Sequence, residues 1–335
     1  MKILYAVQGT GNGHVSRAVE IIPLLKEFGD VDIFLSGNKS QVKIPYEIKY
    51  KSKGVTFSYT KKGGLDYWKT GKELQLRRAY QEIKQFPVEQ YDVILNDFEP
   101  ITAWACRKKK KPFIGFGHQA SFRSNDTPRP KHRDIVGATV LKHYAPCEHY
   151  VGLHFDKYDQ NIFYPILRKE LYELPIKQQN HYTIYLSHYH HEQVIPHLLK
   201  VPEVRFELFS KHCTSKEIQK NVVLYPIDGS AFMKSLASGL GMITGAGFEG
   251  PAEAITLGKK LLVLPIRGQY EQWCNAEAMK QMGIRVVKKI KKDFSNILRD
   301  WLENTPVIHK HYPNQTQEIL EYIFTEKVKG LKTKN

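Results

Sequence analysis

The sequence has few of the features that mark secreted, membrane-spanning or disulfide-linked proteins. Its 335 residues include only four cysteines, which are far apart and form no C-x-x-C pair. Neither a disulfide framework nor a thiolate zinc site is therefore expected. No apolar run approaches the roughly 20 residues of a membrane-spanning helix. The N-terminal residues enter an apolar, strand-like run without the basic stretch and cleavage site of a secretory signal, so a cytoplasmic protein is expected.

Acidic residues are also few relative to basic ones. The chain has 50 Lys and Arg against 34 Asp and Glu, a formal net charge of +16. Such a surface attracts polyanions, anionic lipid headgroups or phosphorylated substrates. The densest basic run, "RKKKK" at 107–111, is either a solvated helix end or a patch facing an anionic membrane. We expect no nucleic-acid partner; the second alternative would make the protein peripheral on the inner face of the membrane.

Apolar runs alternate with amphipathic segments in both halves of the chain. Strands are predicted at 2–7, 31–36, 91–97, 112–117 and 149–155, and again at 182–187, 204–210, 221–226, 240–246 and 260–266. This alternation predicts βαβ units and parallel sheets. The predicted fold is α/β, with two Rossmann-like, doubly wound parallel-sheet domains that face each other across a cleft.

The break in this pattern sets the expected domain boundaries. Residues 1–155 form the first domain, 156–180 a linker, 181–312 the second domain, and 313–335 a C-terminal helix and tail. Ligands are expected at the carboxyl ends of the strands and in the crevice between the domains.

A glycine-rich loop, "QGTGNGHVSRA" at 8–18, follows the first predicted strand. Its spacing is G-x-G-x-G, and the second predicted strand ends in Ser36, Gly37 and Asn38 without the acid that binds a dinucleotide ribose. No Gly-Lys-Ser/Thr follows, so a Walker loop is excluded as well. The glycines instead permit a sharp turn into a helix whose N-terminal N–H groups favour a polar ligand, with His14 at the rim.

A second glycine loop, "TGAGFEGPAEA" at 244–254, is followed by "LPIRGQYEQWCNAEAM" at 264–279. The run 245–276 resembles the donor-binding signature of nucleotide-sugar glycosyltransferases of the GT-B fold. It is similar to the family-28 enzymes of peptidoglycan and glycolipid synthesis and to the UDP-glycosyltransferases. The matching residues are Gly247, Glu253, Gly258, Pro265, Glu271, Gln272, Asn275 and Ala276. The same families carry a Gly-His after the first strand, which Gly13 and His14 match, and some relatives extend it to Gly-His-x-x-Arg, as Arg17 does here.

The resemblance implies a set of donor-binding residues. Backbone groups of residues 247–250 would bind the diphosphate, Glu253 the ribose hydroxyls, and Glu271 and Gln272 the sugar. The full set is Gly247, Phe248, Glu249, Gly250, Glu253, Glu271, Gln272 and Asn275, with Ser187 and His188 as a further phosphate contact and Ile227 at the uracil edge.

His14 is the candidate general base, because an imidazole takes a proton from a hydroxyl near neutral pH. Such a base needs an orienting carboxylate, and "LNDFEP" at 95–100 supplies Asp97 and Glu99. Asp97 could equally cap the next helix. His118 is a second candidate base or an acceptor ligand. The residues expected on the acceptor side are Gly11, Gly13, Arg17, Glu99 and His118, with acceptor loops in 41–72 and 121–133.

Two patterns could suggest a metal site, and both are discounted. The histidines of "HYHH" at 188–191 are adjacent in sequence, which gives poor geometry for sharing one ion. The D-x-D at 30–32 lies at the entry of a predicted strand, away from the expected cleft. No metal and no cofactor are expected, and the UDP-sugar is a substrate.

The resemblance implies an inverting, metal-independent glycosyltransferase. It would transfer a sugar from a UDP-sugar donor to a hydroxyl of a glycan or lipid-linked acceptor. A UDP-sugar 2-epimerase of the same architecture and a non-catalytic sugar-nucleotide or glycan-binding protein are the alternatives. The Glu-Gln-x-x-Asn-Ala element that begins at Glu271 favours transfer.

Overall fold

A computed structural model of the chain describes residues 1–37, 44–55, 76–131, 134–173 and 179–332. In these ranges, strands alternate with helices along the chain, and the strands form two seven-stranded sheets. Much of the expected acceptor loop at 41–72, together with Asn38 and residues 132–133 and 174–178, lies outside the described residues.

The first sheet is built from the N-terminal half of the chain. Its strands are β1 (Lys2–Gln8), β2 (Asp30–Ser36), β3 (Tyr50–Ser52), β4 (Val93–Asp97), β5 (Ile114–Gly117), β6 (His149–Leu153) and β7 (Ile162–Phe163). Their order is β3-β2-β1-β4-β5-β6-β7, and all neighbours pair in parallel. The strand order reverses between β1 and β4, which creates a crevice at their carboxyl ends. The prediction that the sheet ends at 149–155 is wrong, because β7 adds a strand too short for a periodicity signal.

The second sheet repeats this plan. Its strands are β8 (His181–Tyr185), β9 (Arg205–Phe209), β10 (Glu217–Gln219), β11 (Val222–Tyr225), β12 (Gly241–Gly245), β13 (Lys260–Leu264) and β14 (Arg285–Val286). The order is β10-β11-β9-β8-β12-β13-β14, and the edge pair β10 and β11 is antiparallel. The reversal falls between β8 and β12. The predicted pair of doubly wound, parallel-dominated sheets is confirmed.

Helices cover the sheets and connect their strands. They are α1 (Asn12–Leu25), α2 (Leu76–Gln85), α3 (Pro100–Lys108), α4 (Ile135–His143), α5 (Glu170–Glu173), α6 (His191–Leu198), α7 (Gly229–Ser238), α8 (Glu249–Thr256), α9 (Tyr270–Gln281), α10 (Phe294–Asn304), α11 (Thr316–Tyr322) and α12 (Val328–Lys332). A π-helical segment, Ile323–Lys327, joins α11 to α12. None of the helices in the described ranges has the length and apolarity needed to cross a bilayer.

The core is continuous from one sheet to the other. The central strand β1 is buried on both faces, as the unbroken apolar run of Ile3 to Val7 requires in a parallel sheet covered by helices. Phe155, which follows β6 of the first sheet, and Phe248, which precedes α8, pack with ring centroids 5.2 Å apart. Both side chains are buried, so apolar packing joins the two halves.

The C-terminal helix returns to the first half of the molecule. Phe324 stacks on Phe28 after α1, with ring centroids 4.4 Å apart. The Tyr322 hydroxyl donates to Asn161 Oδ1 at 2.9 Å, and Leu320 is fully buried. The segment predicted as a C-terminal helix therefore packs on the first domain.

Candidate active site

The crevice of the first sheet brings His14 and Asp97 together. His14 lies in the first turn of α1, which follows β1, and Asp97 is the last residue of the neighbouring strand β4. His14 Nδ1 lies 2.8 Å from Asp97 Oδ1. The His14 side chain is 13% exposed, and the Asp97 side chain is fully buried. Strand order thus pairs residues that are far apart in sequence.

Arg17 holds the Asp97 carboxylate from the other side. It lies one turn after His14 on the same face of α1, and its Nη2 donates to both Asp97 oxygens at 2.8 Å. Burial raises the pKa of Asp97, but the neighbouring Arg17 and His14 lower it by more. The pKa is therefore below its usual value, and the carboxylate stays ionised. Gly117 (φ 137°), at the end of β5, permits this approach, because a Cβ there would be 2.6 Å from Asp97 Oδ1.

The environment of His14 suits a general base. Burial lowers the pKa of His14, but the charge and hydrogen bond of Asp97 raise it, and the net result is a pKa above the usual value. When Nδ1–H donates to Asp97, the lone pair of Nε2 remains available toward a cavity of about 1040 Å³ that His14 lines. Gln119 Nε2 lies 3.4 Å from this nitrogen. His14, paired with Asp97, can therefore accept a proton from a bound hydroxyl.

Glu99 does not face the acceptor side, and that expectation is wrong. It is fully buried and caps α3, accepting from the backbone N–H groups of Ile101 at 2.8 Å and Thr102 at 2.6 Å. Burial raises the pKa of Glu99 to about 7, although these hydrogen bonds act to lower it. Phe98, between the two acids, has φ 55°, a strained value for a side chain of this size. This turn sends Asp97 and Glu99 to different partners, so Asp97 is not the cap.

The second glycine loop and α8 line a cavity of about 400 Å³. Residues 247–250 lie at its edge, and the first N–H groups of α8 have no partner within the helix. Tyr185, Phe209, Ile227 and Phe232 also line this cavity, and the three aromatic rings pack in edge contacts. The cavity therefore offers anion-binding backbone groups together with an apolar, aromatic lining.

Glu253 also lines the 400 Å³ cavity and is fixed by an ion pair. Arg168 Nε and Nη2 both lie 2.7 Å from Glu253 Oε1, and Glu253 is 3% exposed. Burial raises the pKa of Glu253 and Arg168 opposes that shift. Because both contacts of Arg168 use Oε1, the Oε2 atom is left for another partner.

The larger cavity is contiguous with the smaller one and continues toward His14. Gly11, Gly13 and Gln272 line both cavities. Glu271 lines the larger one, where its Oε2 accepts from Gln119 Nε2 at 3.0 Å across the cleft. The other predicted donor-site residues on its wall are Ser187, His188, Ile227, Gly247, Phe248 and Glu249.

His118 and Asn275 support the second glycine loop from behind the cavities. His118 is 1% exposed, with Nδ1 3.0 Å from the Leu153 carbonyl oxygen and Nε2 2.9 Å from Asn275 Oδ1. Asn275 is fully buried, and its Nδ2 donates to the Ala246 carbonyl oxygen at 3.1 Å. The expectations that His118 is a base or acceptor ligand and that Asn275 binds the donor are wrong, because burial and these contacts occupy both side chains.

The carboxylates on the walls of both cavities already have partners in the described part of the chain. Besides Glu253 and Glu271, Glu249 binds Arg17, and Asp228 accepts from the Ala231 N–H at 2.6 Å. Asp32 of the D-x-D binds Lys49 and Tyr91. The ligand atoms of His190, His191 and Glu192 lie within 4.8 Å of one another, but these residues are consecutive at the start of α6.

Sequence reasoning missed Tyr185, Phe209 and Arg168 on the wall of the 400 Å³ cavity. Tyr185 and Phe209 end parallel strands, and that position is the signal that could have identified them. Phe232, on the same wall, is the last residue of 225–232, the segment in which the sequence predicts the base to bind. Arg168 follows two apolar residues of the predicted linker, and no sequence pattern marks it.

Known proteins were compared with the chain in sequence and structure. The family model described as glycosyl transferase family 1 matches residues 1–306. No curated protein sequence matches the chain.

Solved structures share the fold. The MurG structure from Acinetobacter baumannii superposes with a TM-score of 0.60 at 15% identity, covering 96% of this chain and 99% of that one. Arabidopsis thaliana UGT89C1 complexed with UDP has a TM-score of 0.60 at 13% identity, covering 99% of this chain and 98% of that one. The predicted resemblance is confirmed: the chain belongs to glycosyl transferase family 1 and is a nucleotide-sugar-dependent glycosyltransferase with the GT-B fold.

Proposed function

We propose that the protein is an inverting glycosyltransferase that moves a sugar from a UDP-sugar to a hydroxyl of a glycan or lipid-linked acceptor. The observation that carries this proposal is the His14–Asp97 pair on the wall of a cavity that adjoins the predicted donor loop. The donor would occupy the 400 Å³ cavity, and the acceptor would enter the larger one.

Three features support a uridine diphosphate donor. The aromatic wall of Tyr185, Phe209 and Phe232 suits a base, and Oε2 of Glu253 suits a ribose hydroxyl. The N-terminus of α8 suits a diphosphate. Among the structural neighbours, UGT89C1 was solved with UDP and VinC with DTDP, so both nucleotides belong in the test.

The reaction is a direct displacement. The acceptor hydroxyl gives its proton to His14 Nε2 while its oxygen forms a bond to the anomeric carbon of the donor. The bond from that carbon to the diphosphate breaks, and UDP leaves with the electron pair. Asp97 stabilises the imidazolium that forms, and the N–H groups at the start of α8 stabilise the diphosphate. One displacement on the face opposite the leaving group inverts the anomeric configuration.

We also propose that this transfer needs no metal ion. The support comes from the carboxylates that line the two cavities in the described ranges, because each already accepts a hydrogen bond or ion pair. The charge of the leaving diphosphate would instead be balanced by the dipole of α8.

An anionic membrane surface is the proposed location of a lipid-linked acceptor. On α2 and α3, Tyr80 is 58% and Trp104 is 37% exposed. Lys108 Nζ lies 4.4 Å from the centre of the Tyr80 ring, and the Arg107 guanidinium lies 5.3 Å from the Trp104 ring. Exposed aromatic rings beside cations suit the interface of an anionic bilayer.

The proposed function is tested with nucleotides first and sugars second. UDP should raise the melting temperature of the protein, and GDP should raise it less; no response to UDP would refute the proposed donor. UDP-sugars are then mixed with glycan or lipid acceptors, and released UDP and the anomeric configuration of the product are measured. Conversion of the UDP-sugar to its C2 epimer, with exchange of the C2 hydrogen with solvent and no net release of UDP, would indicate an epimerase. UDP binding without any turnover would indicate a binding protein.

A further inference from the structure

One guanidinium connects the proposed base to the donor loop across the cleft. Arg17 Nη1 donates to Glu249 Oε1 at 2.5 Å, while Nη2 and Nε of the same side chain hold Asp97. The Arg17 side chain is 1% exposed and that of Glu249 is 27% exposed. Glu249 is the first residue of α8, so Arg17 contacts the start of the helix expected to bind the diphosphate.

The absence of a side chain at Gly13 makes room for this contact. A Cβ at Gly13 would overlap the Glu249 carboxylate, whereas nothing lies within 4 Å of a Cβ at Gly11. Gly11 and Gly13 of the first loop therefore differ in what they do. Gly13 makes room for a side chain of the opposite half of the molecule, next to the His14 backbone.

A buried ion pair of this kind is poorly explained by stability alone. Removing Arg17 and Asp97 from water, and Glu249 in part, costs free energy that can exceed the gain from their attraction. What the arrangement supplies is orientation, because the planar guanidinium presents several N–H donors in fixed directions. Asp97 and Glu249 bind the same planar group, so the position of one restricts the other.

We propose that Arg17 is a positioning residue that makes the orientation of the His14–Asp97 pair depend on the donor loop being closed. This inference rests on the proposed function. A donor bound at residues 247–250 holds the start of α8, and Glu249 then holds Nη1 of Arg17. The guanidinium plane is fixed, and with it Asp97 and the ring of His14. Arg17 itself does not contact the reacting atoms.

The first test removes the contact at its partly exposed end. Glu249→Gln should lower kcat by about 10-fold, within the range typical of coupling between two sites, and change the donor KM little. Glu89→Gln is the matched control, because it removes the carboxylate of an ion pair with Lys109 that lies within the first half of the molecule. Gly13→Ala should lower kcat in the same way by displacing the Glu249 carboxylate.

The second test uses a double-mutant cycle. Asp97→Asn and Glu249→Gln should be non-additive in kcat by about 5-fold or more, since their contacts share Arg17. Arg17→Lys should retain more activity than Arg17→Met, because lysine keeps the positive charge although it lacks the planar set of N–H donors of the guanidinium. Additive effects in a folded double variant would overturn the inference.

The third readout is the pH profile of kcat. Arg17 lowers the pKa of His14 and Glu249 raises it. The acidic limb should therefore move to higher pH in Arg17→Met and to lower pH in Glu249→Gln. Because the charge of Glu249 also acts on His14 directly, the pH profile is read together with the plateau value of kcat. A shifted limb with the wild-type plateau value of kcat in Glu249→Gln would show a charge effect alone, and that result would contradict the proposal.

The outcomes separate this inference from the proposed function. If the wild type neither binds UDP nor releases it from a UDP-sugar, the proposed function fails. If His14→Ala abolishes transfer while Glu249→Gln and Arg17→Lys keep the activity and pH profile of the wild type, only the inference fails.

Discussion

His118 and Phe248 lie face to face, with ring centroids 3.9 Å apart and planes inclined by 6°. His118 follows β5 of the first sheet, and Phe248 belongs to the loop before α8 of the second half. Phe248 is 3% exposed and also packs on Phe155. The proposed donor loop is thus held against the first domain by aromatic packing as well as by the Arg17–Glu249 ion pair, and these contacts set its distance from His14.

Replacing the proposed base should remove most of the activity. We expect His14→Ala to lower kcat by about 100-fold or more, the usual contribution of a positioned base, with the donor KM nearly unchanged. UDP release at saturating donor and acceptor measures the effect. His311→Ala, which removes an exposed histidine, is the control. Wild-type activity in His14→Ala would contradict the assignment of the base.

The pH dependence of kcat should report the same residue. A base acts only when neutral, so the rate falls as the pH falls through the pKa of His14. Because Asp97 raises this pKa, the acidic limb should lie above about 6.5, the ordinary histidine value. In Asp97→Asn the charge is lost, and the limb should move to lower pH. A limb that stays in place would exclude His14 as the titrating group.

Loss of Arg168 should weaken donor binding rather than the chemical step. Arg168→Met leaves the buried Glu253 carboxylate without its partner, so we expect the Kd for UDP to rise by about 10-fold. Calorimetric titration with UDP measures this change. Arg285→Met, which removes an exposed ion pair with Asp300, should bind like the wild type. An unchanged Kd in Arg168→Met would remove Glu253 from the donor site.

Chelation of divalent cations should leave transfer intact. Each carboxylate lining the two described cavities has a protein partner, so an ion would have to compete with that partner. UDP release in EDTA and in Mg²⁺ should differ by less than about 2-fold, far below the effect of removing a catalytic ion. Activity that disappears in EDTA and returns with Mg²⁺ would refute metal independence.

The aromatic and basic surface of α2 and α3 should bind anionic vesicles. Each cation near such a surface contributes about 1 kcal/mol at low salt, so Arg107→Gln with Lys108→Gln should weaken binding by about 30-fold. Sedimentation with phosphatidylglycerol vesicles, compared with phosphatidylcholine, measures this. The control pair, Lys288→Gln with Lys289→Gln, removes the same charge from exposed positions in the second half. Equal losses in both pairs would mean attraction by net charge alone.

Strand alternation was sufficient to predict the architecture, since every strand predicted from an apolar run is present in the two sheets. The short strands β7, β10 and β14 were not predicted, because two or three residues carry no period. The short strand β3 lies in 41–72, where the sequence predicts only short strands and loops. The strand predicted at 149–155 was also too long, since the pairing of β6 ends at Leu153.

The site was less predictable than the fold, because its contacts join distant segments. The pairing of His14 with Asp97 was anticipated because a base needs an orienting carboxylate and Asp97 lies at the carboxyl end of a predicted strand. The roles of Glu99 and His118 were not, since nothing in the local sequence distinguishes a buried cap or a stacked ring from a cleft residue. Arg168 and Glu253 meet only because the chain folds back between the domains.

The return of α11 to the first domain gives the molecule two chain crossings between its halves. One precedes β8 and the other lies between α10 and α11. Rotation of one half about the line that joins the two crossings stretches the connections least. Opening and closing of the cleft should therefore follow one preferred axis, with twisting of one half against the other opposed by the second crossing.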